Sequence, residues 1–228
     1  MNENIITSPV FFLFIAFSFL LSFGYFRGRR KNQKIYRAAF RALVDTVKPQ
    51  DQTFTVIGGV VGYHANLVMA KQQPISQIDA TITLLPRHSW LYFPISFAIR
   101  RFDRLFVTFH CRAPIPGEGH IIEKGYAGFR GPKIANREKL QGETRPWGKQ
   151  NVEVYYDSTK TRNFLSSLMD ILPDPGVIRH VALVPGEKRG FVFMIPRPGK
   201  VEESFAPLYR WLAEGLKKET RLRNDKKS

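Results

Sequence analysis

The reactive side chains of this 228-residue sequence are few and dispersed. The single cysteine, Cys111, follows His110 in a segment that alternates like a β-strand, where adjacent side chains point to opposite faces. The other histidines, at 64, 88, 120 and 180, lack the close spacing of a zinc site. The sequence contains no Walker loop, serine elbow or histidine-glutamate metalloprotease helix, and its acidic residues are scattered. We therefore predict a protein that is not an enzyme and that has no cofactor and no metal.

One glycine-rich run, Ile57-Gly58-Gly59-Val60-Val61-Gly62, has the composition of a nucleotide-binding turn. A dinucleotide fingerprint needs a strand, a glycine turn and then a helix whose first turn meets the phosphates. The residues after Gly62 instead continue as a β-branched, strand-like segment. The pattern favours a β-hairpin made of strands at 53–57 and 60–70.

Cations are the most abundant functional side chains, with 35 Lys and Arg against 19 Asp and Glu. The net charge of +16 favours anionic partners such as lipid head groups or nucleic-acid phosphate. A collar that would contact the membrane surface consists of Arg27, Arg29, Arg30, Lys31 and Lys34. A basic loop or linker at 127–150 and a C-terminal tail are candidate surfaces for a ribosome or another anionic partner; their residues are Arg130, Lys133, Arg137, Lys139, Arg145, Trp147, Lys149, Lys217, Lys218, Arg221, Arg223, Lys226 and Lys227.

Two of these assignments have a plainer alternative. Trp147, an aromatic residue among cations, could stack on a base or fill an interface, or it could fold back onto its own domain. The tail could bind an anionic partner, or it could be a solvated helix end.

The collar directly follows an uncharged, apolar stretch at 5–26. A helix of about 20 such residues, at about 1.5 Å per residue, crosses a hydrocarbon core of about 30 Å. The alternatives are a buried core helix or a cleavable signal peptide, but a signal peptide needs a basic n-region and a small-residue cleavage site. Since positive residues stay on the cytosolic side, the N-terminus should be outside and the rest cytosolic. The single cysteine agrees with a reducing compartment.

The remaining pattern predicts an α+β fold: a single N-terminal transmembrane helix, then a cytosolic domain with two strand-helix-strand-strand blocks and a C-terminal helix. A helix at 33–47 has one apolar face and one basic side; it could lie with the basic side against anionic lipid, or it could simply pack on the domain. The first block comprises 78–85, 90–101, 105–111 and a hairpin-like 119–125, and the second comprises 152–156, 161–172, 177–184 and 190–195. We favour one continuous sheet over two halves. The predicted divisions are an anchor at 1–26, the collar and amphipathic helix at 27–48, the domain at 49–216 and the tail at 217–228.

This order of features resembles the calumin family, the coiled-coil-domain-containing membrane proteins of the protein-associated-with-translocon complex. The resemblance is best at the collar and helix from Arg29-Arg30-Lys31-Asn32 to Phe40, at the block from Leu91 to Phe109, and at the segment Gly190 to Pro196 with its helix from Pro207 to Arg223. The sequence departs from the family in holding no acidic segment before the span and no long lysine- and glutamate-rich coiled coil after the final helix. That coiled coil is the part thought to extend toward the ribosome.

The resemblance implies a membrane-anchored accessory factor of membrane-protein biogenesis, a translocon-associated chaperone subunit. Its partners would be membrane lipids, subunits of a Sec-type channel or insertase, and ribosomal RNA. The membrane would be the plasma membrane in a prokaryote and the endoplasmic reticulum in a eukaryote. The alternative is a membrane-anchored domain that binds anionic lipid or an unknown small ligand and has no ribosomal role.

Overall fold

The computed structural model describes residues 8–127, 132, 134–135 and 137–225. Its first element is a single helix of 39 residues, α1 (Pro9–Val47). An 18-residue window of α1 has a mean hydropathy of 2.0, and only 6% of that window is buried. Among the described residues, α1 alone is long and apolar enough to cross a membrane. The predicted anchor and the predicted helix at 33–47 are therefore parts of one helix, which ends where Lys48 adopts a left-handed conformation ahead of Pro49.

Nine strands form one antiparallel sheet in the order β1-β2-β3-β4-β9-β8-β5-β7-β6. The strands are β1 (Asp51–Val56), β2 (Gly62–Val68), β3 (Ile75–Thr83), β4 (Arg104–Cys111), β5 (Gly119–Glu123), β6 (Gln141–Trp147), β7 (Gln150–Tyr156), β8 (Ile178–Val184) and β9 (Arg189–Met194). The α+β class and the single sheet are as predicted. The run at 57–62 is the turn of the β1–β2 hairpin, as expected from the strand-like residues that follow it.

In the described part of the chain, four further α-helices follow α1. They are α2 (Phe93–Arg100), α3 (Lys124–Ala127), α4 (Thr159–Ile171) and α5 (Lys200–Asp225). Ser158 caps α4, because its hydroxyl oxygen accepts from the backbone N–H of Thr161.

One face of the sheet carries the hydrophobic core. The second half of α1 joins α4 and α5 on that face, with Phe109 of β4 stacked on Phe205 of α5 at a centroid distance of 6.0 Å. Alternate residues of β4 point into this layer, so Cys111 is buried and His110 lies on the other face. Burial raises the pKa of the Cys111 thiol to about 11, which makes it a poor nucleophile.

Two sequence expectations about strands are wrong. Residues 119–125 do not form a hairpin, because β5 pairs with β7 and β8 at the centre of the second half of the sheet. The expected loop at 127–150 contains β6, which pairs with β7 through a turn at Gly148 with φ of 57°. The strand is polar and contains Pro146 because it lies at the edge of the sheet, where a missing backbone N–H is tolerated.

Candidate membrane-surface site

The apolar part of α1 changes to a basic part within one helical turn. Phe23 and Phe26 are exposed, and the collar residues after them are exposed too. None of the five collar cations forms an ion pair with a described residue. The collar is therefore an exposed cationic surface at the end of the apolar segment, and its contact with a membrane stays a prediction. The apolar side chains of α1 enter the hydrophobic core after the collar, where Ile35, Leu43 and Val47 are buried.

A second apolar surface lies beside this boundary. The connection between β3 and β4 contains α2 and the turn before it, and its large side chains are exposed instead of packed on the sheet. Among them Leu91 is 71% exposed and Ile95 57%, whereas Ser96 is the one buried residue of α2. The exposed residues of this surface, which we call the α2 patch, are Trp90, Leu91, Tyr92, Ile95, Phe97 and Ile99. A contiguous apolar patch on a protein surface marks a contact with lipid or with another protein.

Two glycines bring the α2 patch against α1. A Cβ atom at Gly24 would collide with the indole of Trp90, and one at Gly28 would collide with the backbone of Arg87. Between them, Tyr25 packs edge-on against the imidazole of His88, with ring centroids 5.9 Å apart. The patch therefore lies at the level of α1 where the apolar segment ends and the collar begins.

A buried polar network fixes this arrangement. The side-chain amide of Asn32, fully buried, donates to the carbonyl oxygens of Leu85 at 2.9 Å and Val60 at 3.1 Å. Its oxygen accepts from Nη1 of Arg87 at 3.0 Å, and Arg87 makes a bidentate ion pair with Asp103 at 2.8 Å. Both polar atoms of the Asn32 side chain are thereby used to hold the β1–β2 turn and the segment after β3 against α1.

The β1–β2 hairpin adds a smaller apolar tip on the same side. Val60 lies in its turn, and the neighbouring side chains of Val56 and Ile57 are 63% and 56% exposed. Strands β2, β3 and β4 meet this side at Gly62, Thr83 and Arg104, which pair in register. We call this side of the sheet the anchor end, and the opposite side, where Val68 lies, the far end.

A cleft of about 560 Å³ adjoins the C-terminal end of α2. Among the described residues, its walls carry four guanidinium groups and one carboxylate, from Arg100, Arg101, Arg104, Arg179 and Glu123. Nε of Arg179 pairs with Glu123 at 2.9 Å, and its Nη1 donates to the carbonyl oxygens of Gly176 and Ile178. Burial lowers the pKa of Arg179, although Glu123 opposes that shift. The cleft is strongly cationic, and Arg179 is held rigid within it.

The open face of the sheet holds a cluster that superficially resembles catalytic machinery. Asp79 accepts from Nε2 of His110 at 2.7 Å, from Asn66 at 2.8 Å and from Gln77 at 3.1 Å. Burial raises the pKa of Asp79, but these hydrogen bonds outweigh burial and hold the pKa below its usual value. The nearby hydroxyl of Ser76 donates to the main-chain oxygen of His110 and so is not directed at the imidazole. The carboxylate is saturated by its neighbours, which is the arrangement of a structural network.

Neither a scan against protein-family models nor a search of the curated proteins finds a match to this chain.

The predicted loop cations fall in three places. Arg130 and Lys133 lie outside the described residues. Lys139 and Lys149 are exposed. Arg137 donates to the Tyr155 hydroxyl and Arg145 donates to Ser166, so these two guanidinium groups bind their own domain.

Trp147 is not available as a binding aromatic. It is 3% exposed, and its indole N–H donates to the carbonyl oxygen of Leu172 at 2.6 Å. The alternative in which it folds back onto its own domain is the one observed, because β6 places it between the sheet and the end of α4. The indole N–H finds a partner there, as buried indoles usually do.

The tail cations that the structure describes lie at the far end. From one strand to the next, the pairing registers align Tyr156 with Gly119, Leu183, Gly190 and Phe109. The end of β7 therefore lies near the far end of the sheet, and so does the start of α4, which follows β7 in the chain. Lys160 of α4 pairs with Glu219 of α5 at 2.6 Å. Lys217, Lys218, Arg221 and Arg223 are exposed on this part of α5, whereas Lys226 and Lys227 lie outside the described residues.

Sequence reasoning missed the α2 patch and the arginine cleft. The sequence predicts an apolar helix at 90–101 as part of the first block, and the apolar residues of this run occur on every side of the helix. That all-round apolarity, followed by Arg100 and Arg101, was the available signal. The cleft had no linear signal, because α2, β4, β5 and β8 each contribute to it.

Proposed function

We propose that this protein is a membrane-anchored, non-enzymatic binding module whose domain lies against the anionic surface of the cytosolic leaflet. The contact of Trp90 with Gly24 carries the proposal, because it places the α2 patch at the apolar-to-basic boundary of α1. An exposed apolar helix at that level would be immersed in the head-group and acyl boundary, where Trp and Tyr are favoured. The collar and Arg100 and Arg101 would then lie at the level of the lipid phosphates.

The energetics favour this placement. Each cation near an anionic leaflet adds about 1 kcal/mol. Apolar area removed from water adds about 25 cal/mol per Å². The α2 patch and the collar would therefore act together to hold the domain on the bilayer, and the network around Asn32 would prevent it from swinging away.

A two-site thiol experiment in cells tests orientation and depth together. Val68→Cys places a thiol at the far end and Ile95→Cys places one in the α2 patch, while the native Cys111 is buried and unreactive. In intact cells we expect an impermeant maleimide to label neither position. After the membrane is permeabilised without dissolving it, position 68 should label quickly and position 95 at least tenfold more slowly.

Labelling of position 68 in intact cells would overturn the cytosolic orientation. Equal rates at the two positions after permeabilisation would overturn the lipid contact of α2. The two parts of the proposal can therefore fail separately.

A second candidate function is an accessory role in membrane-protein biogenesis at a Sec-type channel or insertase, with contact to the ribosome. The observation that favours it is the position of the tail, because its cations lie at the far end and would project away from the bilayer. A cationic surface pointing into the cytosol would meet a soluble anionic partner such as ribosomal RNA. The order of features in the sequence, which resembles that of the calumin family, agrees with this role.

Ribosome co-sedimentation at graded salt tests this second function. Replacing Lys217, Lys218, Arg221 and Arg223 by glutamine should weaken the association and make its salt dependence shallower, because phosphate contacts release counterions. The thermal midpoint should change little, because substitutions at exposed positions usually have only small effects on stability. Unchanged co-sedimentation would remove the tail from the candidate partner surfaces.

A further inference from the structure

The arginine cleft at the end of α2 contains cationic groups that the fold itself does not use. Nε of Arg104 is buried and has no hydrogen-bond partner among the described residues. A buried donor without a partner is unfavourable, so it is retained in proteins when a ligand or water satisfies it. Arg100 and Arg101 are exposed at the rim and form no ion pair with any residue that the structure describes. Glu123 is the one carboxylate among the lining residues that the structure describes, and it is committed to Arg179.

Helix electrostatics explain only part of this cluster. A cation at the C-terminal end of a helix interacts favourably with the helix dipole, which accounts for Arg100 in the last turn of α2. Arg104 and Arg179 lie on strands β4 and β8, so that argument does not apply to them. Arg101 also has φ of 63°, a conformation that is unfavourable for a residue with a side chain.

The cleft has the shape of a ligand site. Its volume of about 560 Å³ lies within the range of roughly 300–1,000 Å³ that small-molecule sites occupy. One wall is apolar, with the Arg104 guanidinium 5.7 Å above the ring of Phe102. Tyr126 lines the cleft as well and packs on Phe193, and burial raises the pKa of its hydroxyl, which therefore stays a hydrogen-bond donor at neutral pH.

We propose that this cleft binds a phosphate monoester through Arg101 and Arg104, with Nη2 of Arg179 as a further donor, because Nε and Nη1 of Arg179 are already committed to Glu123 and to main-chain carbonyl oxygens. Planar guanidinium groups match phosphate oxygens with paired N–H donors, and a monoester presents three such oxygens with a charge between −1 and −2. A diester head group offers only two free oxygens and one negative charge. Nε of Arg104 gains its missing acceptor, and the apolar wall accommodates the organic part of the ligand.

The phosphate can come from a lipid head group or from a soluble phosphorylated molecule. The lipid source rests on the proposed function, because it requires the end of α2 to lie at the membrane surface. Binding of phosphate itself does not depend on that placement. The two sources are therefore separated by experiment.

The test uses the full-length protein in a non-ionic detergent with three soluble probes. These are inorganic phosphate, dihexanoyl phosphatidic acid, which carries a monoester, and dihexanoyl phosphatidylserine, which carries a diester. We expect phosphatidic acid to bind at least tenfold more tightly than phosphatidylserine. Stronger binding of phosphatidic acid than of phosphate supports a lipid ligand, and equal binding supports a soluble one.

Matched variants assign the binding to the cleft. Arg104→Gln and Arg101→Gln should each weaken phosphatidic acid binding by at least tenfold. Arg210→Gln removes the same charge from an exposed position on α5 and should leave binding within twofold. Arg101 is exposed, so its variant tests the site even where Arg104→Gln does not fold.

Absence of binding by both inorganic phosphate and phosphatidic acid would overturn the proposal. Equal affinity for the two lipids would also overturn it, as would equal losses in Arg101→Gln and Arg210→Gln, because either result indicates unspecific charge attraction. None of these results would affect the thiol-labelling outcome, so failure of this site and failure of the membrane placement are distinguishable.

Discussion

Asn32 and Arg87 are hydrogen-bonded at 3.0 Å although they are separated by 55 positions in the chain. Asn32 belongs to the basic part of α1, and Arg87 belongs to the connection that leads into α2. Their bond, with the ion pair from Arg87 to Asp103, joins the helix to the sheet at its anchor end. The domain is thereby fixed in orientation relative to the apolar segment of α1.

Replacing Asn32 by alanine should destabilise the protein by about 1–3 kcal/mol, because two buried carbonyl oxygens and a guanidinium lose a partner. Thermal unfolding of the full-length protein in detergent measures the effect as a lowered midpoint. Gln33→Ala is the control, since Gln33 is only partly buried. Equal midpoints for the two variants would mean that the network does not stabilise the fold.

Alanine at Gly28 should cost more stability than alanine at Gly24. The new methyl group would meet the backbone of Arg87 in the first case and the side chain of Trp90 in the second. A side chain can rotate away, whereas the Arg87 backbone is held by the neighbouring hydrogen bonds of Asn32 and Leu85. Thermal midpoints of the two variants measure the difference, and a larger loss at Gly24 would contradict the assigned close approach.

The stability of the domain should fall as the pH drops below about 6.5. His180 is buried, and its Nε2 lies 3.4 Å from Nδ1 of His120. Burial, together with repulsion from His120, lowers the pKa of His180 to about 3. Between about 6.5 and about 3 the unfolded chain therefore binds a proton that the folded chain does not. One such proton makes the free energy of unfolding fall by at most about 1.4 kcal/mol for each unit by which the pH drops.

Burial also lowers the pKa of His120, although Glu118 opposes that shift, so His120 contributes in the same direction. Denaturant unfolding at pH 7.5 and pH 5.0 measures the effect. In His180→Gln the loss of stability between these pH values should be smaller than in the wild type. The same loss in both proteins would show that His180 is not the group responsible.

The sequence predicts much of the fold because most of its elements have strong local patterns. The apolar stretch before the collar, the hairpin at Gly58-Gly59 and the amphipathic face of α5 each follow from residue types over a short window. The edge strand β6 has no such pattern, since its residues are polar and include Pro146. Trp147 was assigned to a surface loop for the same reason.

The candidate site is less predictable than the fold. The collar is contiguous and could be identified directly. The α2 patch depends on which side of a helix stays uncovered, and α2 turns out to be uncovered on nearly every side. The arginine cleft depends on registers that bring β4, β5 and β8 together, and residues distant in the chain give no local signal of that kind.

The fluorescence of Trp90 tests the central claim, that α2 lies at the membrane, most directly. The other two tryptophans, Trp147 and Trp211, are each 3% exposed, whereas Trp90 is 41% exposed and lies in the α2 patch. The full-length protein would be reconstituted into vesicles with and without phosphatidylcholine brominated on its acyl chains, which quenches indoles that contact the hydrocarbon. We expect quenching in the wild type and the loss of most of the quenchable emission in Trp90→Phe. Absence of quenching in the wild type, or the same quenchable emission in both proteins, would contradict the placement of α2 at the membrane.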